Sequence, residues 1–209
     1  VTFHNHQLLE AVLKKFLQDV PVVLVHQTKR PQMDNVYAVG ADESEGIRRC
    51  VKKLADRGRK DLILVIDKGR TSRNLIRDSF MEAVKIIPAI KGHVYTEVEA
   101  TRTGGETVIE QIIKEHPQAD GILCVNDSIA IGTIYGLQNM GKNVPEDISV
   151  IGEDNSELCE VCKPRLTSMD TMLRLSTVLS AHILTDVLDG RTRNHQTIME
   201  MEIIDRETV

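Results

Sequence analysis

Short unbroken apolar runs alternate along this chain with longer stretches in which apolar residues return every three or four positions. Val20–Val25, Asp61–Asp67, Gly121–Val125 and Ile148–Ile151 are of the first kind, the pattern of strands buried on both faces. Val36–Val39 reads as a brief strand, Gly92–Val98 as an alternating edge strand, Ile198–Ile204 as the final strand, and Val1–Phe3 as the tail of another. Helical spacing marks Gln7–Gln18, where Leu8, Leu9, Val12, Leu13, Phe16 and Leu17 share one broad face. It also marks Asp42–Arg57, the stretch after Ser72 to about Ile87, Thr103–Glu115, the stretch from Ser128 to the stop at Gly141, and Leu173–Leu188. Strands alternating with helices predict an α/β protein built on parallel sheets, with helices on both faces.

Composition narrows the classes. The 209 residues have room for one large α/β domain or two small lobes. A net charge of −5 without a basic cluster excludes a surface that tracks a phosphate backbone. The chain has no signal peptide and no apolar run long enough to cross a bilayer, which predicts a cytoplasmic protein with no membrane partner. Of the four cysteines, Cys124 lies inside an apolar strand and reads as a reduced, buried thiol. Cys159 and Cys162 form a lone C-x-x-C without the second pair that zinc needs, so two thiols on a turn of a short helix is the expectation. His4 and His6 lack a third ligand and read as a polar loop. Gly104-Gly105 opens a helix and is no phosphate cradle. No nucleophile stands beside a histidine base and no metal or cofactor motif assembles, so the chain is expected not to be an enzyme.

The stretch Ala119–Asp170 organises the rest. Its first strand ends in Asn126-Asp127-Ser128, which can cap the following helix; its second ends in Gly152-Glu153-Asp154-Asn155. A helical crossover makes the two strands parallel and puts both polar ends on one sheet edge, where ligands of open α/β sheets sit. Asn126 and Asp154 are therefore expected to face one crevice. Asn126 offers both a donor and an acceptor, and Asp154 can accept from two adjacent hydroxyls. Each also has a purely local reading as a helix cap, and for Asp127 the cap is the expected role.

V-N-D-S-I-A-I-G, then G-L-Q-N-M-G-K-N-V-P-E-D-I-S-V-I-G-x-D, then P-R-L-T-S resembles the effector-binding core of the LacI/GalR family of transcriptional regulators. Weaker similarity runs from about Pro21 to the end. The resemblance implies a two-lobed, periplasmic-binding-protein-like fold with an incomplete first lobe. Residues 1–41 and 170–197 would form the N-terminal lobe, and 42–169 with 198–209 the C-terminal lobe. It further implies a small-molecule effector such as a sugar, no cofactor, a homodimer, and operator DNA bound through a helix-turn-helix region absent from this chain.

Family positions that touch the ligand map onto Asp154, Asn126, Arg77, Thr171, His26 and Gln27. Arg77 stands in R-D-S-F-M-E-A, similar to the family's R-x-x-G-F-x-x-A but one residue shorter; its other reading is a surface arginine paired with Asp78. His26 and Gln27 replace an Asp-Arg pair, Thr171 replaces a glutamine, and no aromatic stands near Glu99. Glu153 replaces Phe or Tyr and either points to solvent or brings a second acid into the crevice. The alternative within the same fold is a sugar-binding receptor of a transport system, and outside it a sugar-processing α/β enzyme.

Overall fold

A computed structural model describes residues 6–191 and 193–209 of the protein. The strand tail read at Val1–Phe3 and the loop reading of His4 and Asn5 lie outside them. The chain forms two compact units, one of residues 1–42 and 172–200 and one of 43–171 and 201–209.

The smaller unit carries a three-stranded sheet of β1 (Val22–Val25), β2 (Val36–Ala41) and β8 (Gln196–Met199), all parallel, with β2 in the centre. Alternation along β2 sends side chains to opposite faces. Val36 packs with Leu9 and Leu13 of α1 (His6–Phe16), while Tyr37 and Val39 pack with Ile183 of α7 (Leu173–Leu188). Helices thus cover both faces, and β2 is buried along its whole length. At its end Gly40 allows a close approach, since a Cβ there would lie 2.7 Å from the Gln27 backbone.

The larger unit is a six-stranded sheet in the order β4-β3-β5-β6-β7-β9. Its strands are β3 (Asp61–Asp67), β4 (Lys91–Val98), β5 (Gly121–Cys124), β6 (Ser149–Glu153), β7 (Thr167–Asp170) and β9 (Glu202–Ile204). All pairings are parallel except β7 with β9. The helices are α2 (Glu43–Asp56), α3 (Arg73–Ile86), α4 (Arg102–Glu115), α5 (Asp127–Asn139) and the single turn α6 (Leu158–Val161). Leu62, Ile63, Leu64, Val65 and Ile66 are all fully buried, as expected for a parallel strand covered on both faces.

Two elements depart from the sequence pattern. The expected final strand Ile198–Ile204 is two strands: β8 joins the small sheet and β9 the large one. β7 has no apolar run at all, yet Thr167 and Ser168 are completely buried. Their polar groups are satisfied locally: the Thr167 amide donates to Thr208 Oγ1 at 2.9 Å and Ser168 Oγ donates to Asp127 Oδ1 at 2.6 Å. Satisfied polar groups carry no burial penalty comparable to orphaned ones.

α4 and α5 meet through glycines. Thr101 caps α4 by accepting from the Gly104 amide, so Gly104-Gly105 does open a helix, and Gly105 has a packing role besides. A Cβ on Gly105 would lie 2.1 Å from the Ile129 carbonyl oxygen, and one on Gly132 would lie 1.9 Å from that of Arg102. Backbone, unlike a flexible side chain, cannot swing aside. Gly132→Ala is therefore expected to destabilise the fold by about 1–3 kcal/mol despite alanine's better helix propensity. Thermal denaturation checks this, each kcal/mol corresponding to roughly 2–4 °C at this chain length; an unchanged melting temperature would show that the helices can part without cost.

Candidate functional site

Parallel pairing brings the carboxyl ends of β3, β5, β6 and β7 to one edge of the large sheet. The chain leaves β3 for β4 on one side and then returns to β5 on the other, so the edge contains a topological switch point, where open α/β sheets take ligands. The residues delivered there are Asp67 at the end of β3, Asn126 after β5, Glu153-Asp154 at the end of β6 and Asp170-Thr171 at the end of β7.

Asn126 and Asp154 come together as expected. Asn126 Nδ2 lies 3.5 Å from Asp154 Oδ2, the outer limit of a hydrogen bond. Asn126 is at the same time the N-cap of α5, its Oδ1 accepting from the Ser128 and Ile129 amides at 2.9 and 3.3 Å. Its two readings are thus one arrangement: the carbonyl end is spent on the helix and the amide end is turned to the acid. Asp154 itself is exposed and has φ 108°, a backbone region that favours glycine.

A network holds that strained turn. The Asp154 amide donates to the Met169 carbonyl at 2.9 Å. Asn155 Nδ2 donates to Asp170 Oδ2 at 3.0 Å, and Asn155 Oδ1 accepts from Arg206 Nη2 at 2.8 Å. Asp127 is more than a cap: it is buried, and its Oδ2 accepts from the Ser156 amide at 2.7 Å while Oδ1 accepts from Ser168. It ties the turn after β6 to β7. Gly152 makes room for it, since a Cβ there would meet Asp127 Oδ1 at 2.4 Å.

Glu153 neither faces solvent nor enters a crevice. It is completely buried, because β6 is flanked by β5 and β7 and covered on both faces. Its Oε1 accepts from the Arg70 guanidinium, which also pairs with Glu43 in the first turn of α2 at 2.5 Å. Its Oε2 has no hydrogen-bond partner. Burial pushes the Glu153 carboxyl up to about 8; Arg70 opposes the rise, while Glu43 and Asp154 add to it. Loss of water is also the largest cause lifting Asp154 to about 6, followed by Asp127, with Asp67 and Glu43 adding and Arg70 opposing. For Arg70, burial alone would lower the pKa, but Glu153 and Glu43 outweigh it and the guanidinium stays charged.

Residues 51–209 match the periplasmic binding protein-like domain family. The chain belongs to that family. Within it the chain is an effector-binding domain of the LacI-regulator type. The transcriptional regulator GntR of Escherichia coli K12 is 29% identical over 153 residues, 73% of this chain and 45% of that protein. A LacI family regulator from Enterococcus faecalis V583, solved with bound ribose, superposes with a TM-score of 0.78 at 25% identity, over 98% of this chain and 73% of that one. A sugar-binding LacI family regulator from Escherichia coli, complexed with phosphate, gives a TM-score of 0.86 at 17% identity, over 100% and 74%. The chain spans about half the length of the curated relatives it matches. These relatives are regulators and not enzymes. Among the described residues no cluster of metal-ligating side chains occurs, and no helix is long and apolar enough to cross a membrane.

The other candidate positions of this LacI-type domain are placed variously. Thr171 follows β7 and is buried. Arg77 is exposed on α3, with Nε and Nη2 donating to Asp78 Oδ1 at 2.9 and 2.8 Å, the surface pairing that its sequence neighbour offers. His26, exposed with φ 58°, and Gln27, whose amide donates to the Val39 carbonyl at 3.0 Å, follow β1 in the smaller unit. Arg70, read only as part of a loop, is a cation that reaches the strand ends through Glu153, as Arg206 does through Asn155.

Two contrasts test this arrangement. Arg70→Ala leaves the buried Glu153 carboxyl without its hydrogen-bond donor and is expected to cost about 1–3 kcal/mol, whereas Arg77→Ala should stay within about 0.5 kcal/mol of wild type; urea denaturation of both variants checks it. The Glu153 carboxyl is raised from 4.5 to about 8, so its stabilising contribution is complete below pH 4.5 and is lost as pH rises through about 8. Glu153→Gln should therefore flatten the fall in melting temperature over that window. Equal slopes in the two proteins would refute the buried-acid assignment.

Proposed function

We propose that this LacI-type domain takes its effector, a small polar metabolite such as a sugar, on the strand-end face carrying Asn126 and Asp154. The observation that carries the reading is the pairing itself: an amide donor and an exposed carboxylate are held side by side by a helix cap and a pinned turn. Such a pair matches vicinal hydroxyls, one accepting from the amide and others donating to the acid. Ribose, lactose and cellobiose in related regulators are consistent with a polyhydroxyl effector. Thr171 remains a further candidate for contact; Arg77, held by Asp78, is a weaker one.

LacI-type regulators bind small-molecule effectors and operator DNA. In the full-length protein, a homodimer in the cytoplasm on this reading, operator binding would fall to a region outside this chain. Effector binding would shift the population between two arrangements, by no more than the effector's preference for one of them. The transport-receptor alternative shares the fold, but the relatives named above are regulators.

Asp154→Gly is the informative variant, because glycine accepts φ 108° while the side chain is lost together with its carboxylate. It should keep or slightly raise the melting temperature while abolishing stabilisation by ribose or whichever sugar stabilises the wild type. Retained ligand stabilisation would displace the site. Because Asp154 titrates near 6, affinity should fall as pH drops below that value, and calorimetric titration at a series of pH values should show a midpoint that disappears in Asp154→Asn.

A further inference from the structure

We infer that the strand-end face of this domain selects ligands carrying hydroxyls or a protonated amine and rejects those carrying a carboxylate or phosphate. The inference rests on the effector site proposed above and names its ligand class. It comes from the charges around Asn126 and Asp154 in the larger unit.

Every cation in and just beyond the loop after β3 already has a carboxylate partner. Lys68 pairs with Glu99, and Arg73 pairs with Glu97 at 2.8 Å. Arg77 pairs with Asp78, and Arg70 is shared between Glu43 and Glu153. Arg70 is the one among them bound to a residue of the strand ends, and two acids engage it. An anionic ligand that recruited it would have to draw it away from both acids. The Glu153 oxygen Oε2, buried and unpartnered, shows that donors are already short around this carboxyl.

The acids, by contrast, are in excess. Asp67, Asp127 and Glu43 all act on Asp154 in the direction that opposes its ionisation, so the local field is negative despite Arg70. Asp67 and Asp127 spend oxygens on the Gly69 amide, the Ser156 amide and the Ser168 hydroxyl, none of which cancels a charge. Among the described residues the Asp154 carboxylate hydrogen-bonds only to the side-chain amide of Asn126, at the limit of bonding distance. A ligand ammonium placed against it would relieve this field, a hydroxyl would tolerate it, and an anion would add to it. Discrimination of this kind works through repulsion of the wrong class as much as attraction of the right one.

The test is thermal stabilisation and calorimetric titration of the protein at neutral pH with probes of matched skeleton. Glucose and ribose represent neutral polyols, glucosamine the ammonium class, and gluconate and ribose 5-phosphate the anions. Stabilisation by glucose, ribose or glucosamine, with the anionic partners roughly tenfold or more weaker, is the expected result. In Glu43→Gln/Glu153→Gln, where Arg70 is released, the penalty on gluconate relative to glucose should shrink. Binding of gluconate or ribose 5-phosphate as tight as the neutral partner in the wild type would overturn the ligand class while leaving the effector site standing. Stabilisation by glucosamine that survives Asp154→Gly would overturn the assignment of the charge to this face. No response to any of the probes would overturn the class and count against the site as well.

Discussion

One constraint governs the larger unit: its parallel strands must all run the same way, so each helix has to carry the chain back before the next strand begins. Five of the six strands, β4, β3, β5, β6 and β7, obey it. Every β-to-α turn of this set consequently opens at one edge of the sheet, and polar residues that cannot be placed inside strands buried on both faces collect there. Asp67, Asn126, Asp154 and Asp170 are neighbours for this reason and not through nearness in sequence. The face proposed to take the effector is what remains when a double-covered sheet expels its polar ends to one side.

Glu153 is the exception that the sheet keeps inside. A carboxyl with no exposure is tolerated because Arg70 reaches it from the loop after β3, while Glu43 at the start of α2 holds the same guanidinium. The Glu43 carboxylate also sits in the first turn of its helix, where negative charge is favoured by the backbone dipole. Three segments far apart in the chain are thereby connected by one planar cation, whose fork of donors suits this task better than an ammonium would. The connection leaves the strand ends acidic, so on the proposed reading support of the sheet and selection of ligand charge come from the same side chains.

Much of this was legible in the chain. β3 at Asp61–Asp67 and α7 at Leu173–Leu188 lie where the apolar pattern puts them, because a buried strand and a helix closed by Asp189-Gly190 leave unambiguous signals. The meeting of Asn126 and Asp154 followed from a strand–helix–strand unit with readable ends. β7 was invisible to a reading keyed on apolar runs, since Thr167 and Ser168 are buried through hydrogen bonds. The break between β8 and β9 falls within a continuous pattern, and nothing local marks a change of sheet. Arg70 and Glu153 lie 83 residues apart, so their pairing is a property of strand order and cannot be seen in either neighbourhood. The role of Glu153 was misread for the same reason.

The glycine seam between α4 and α5 has a bearing on how tightly a small molecule can be held. Two helices whose backbones touch leave little freedom for either to tilt, and Asn126 is the N-cap of α5. The amide therefore waits in position before any guest arrives, and little entropy is left to be lost there on capture.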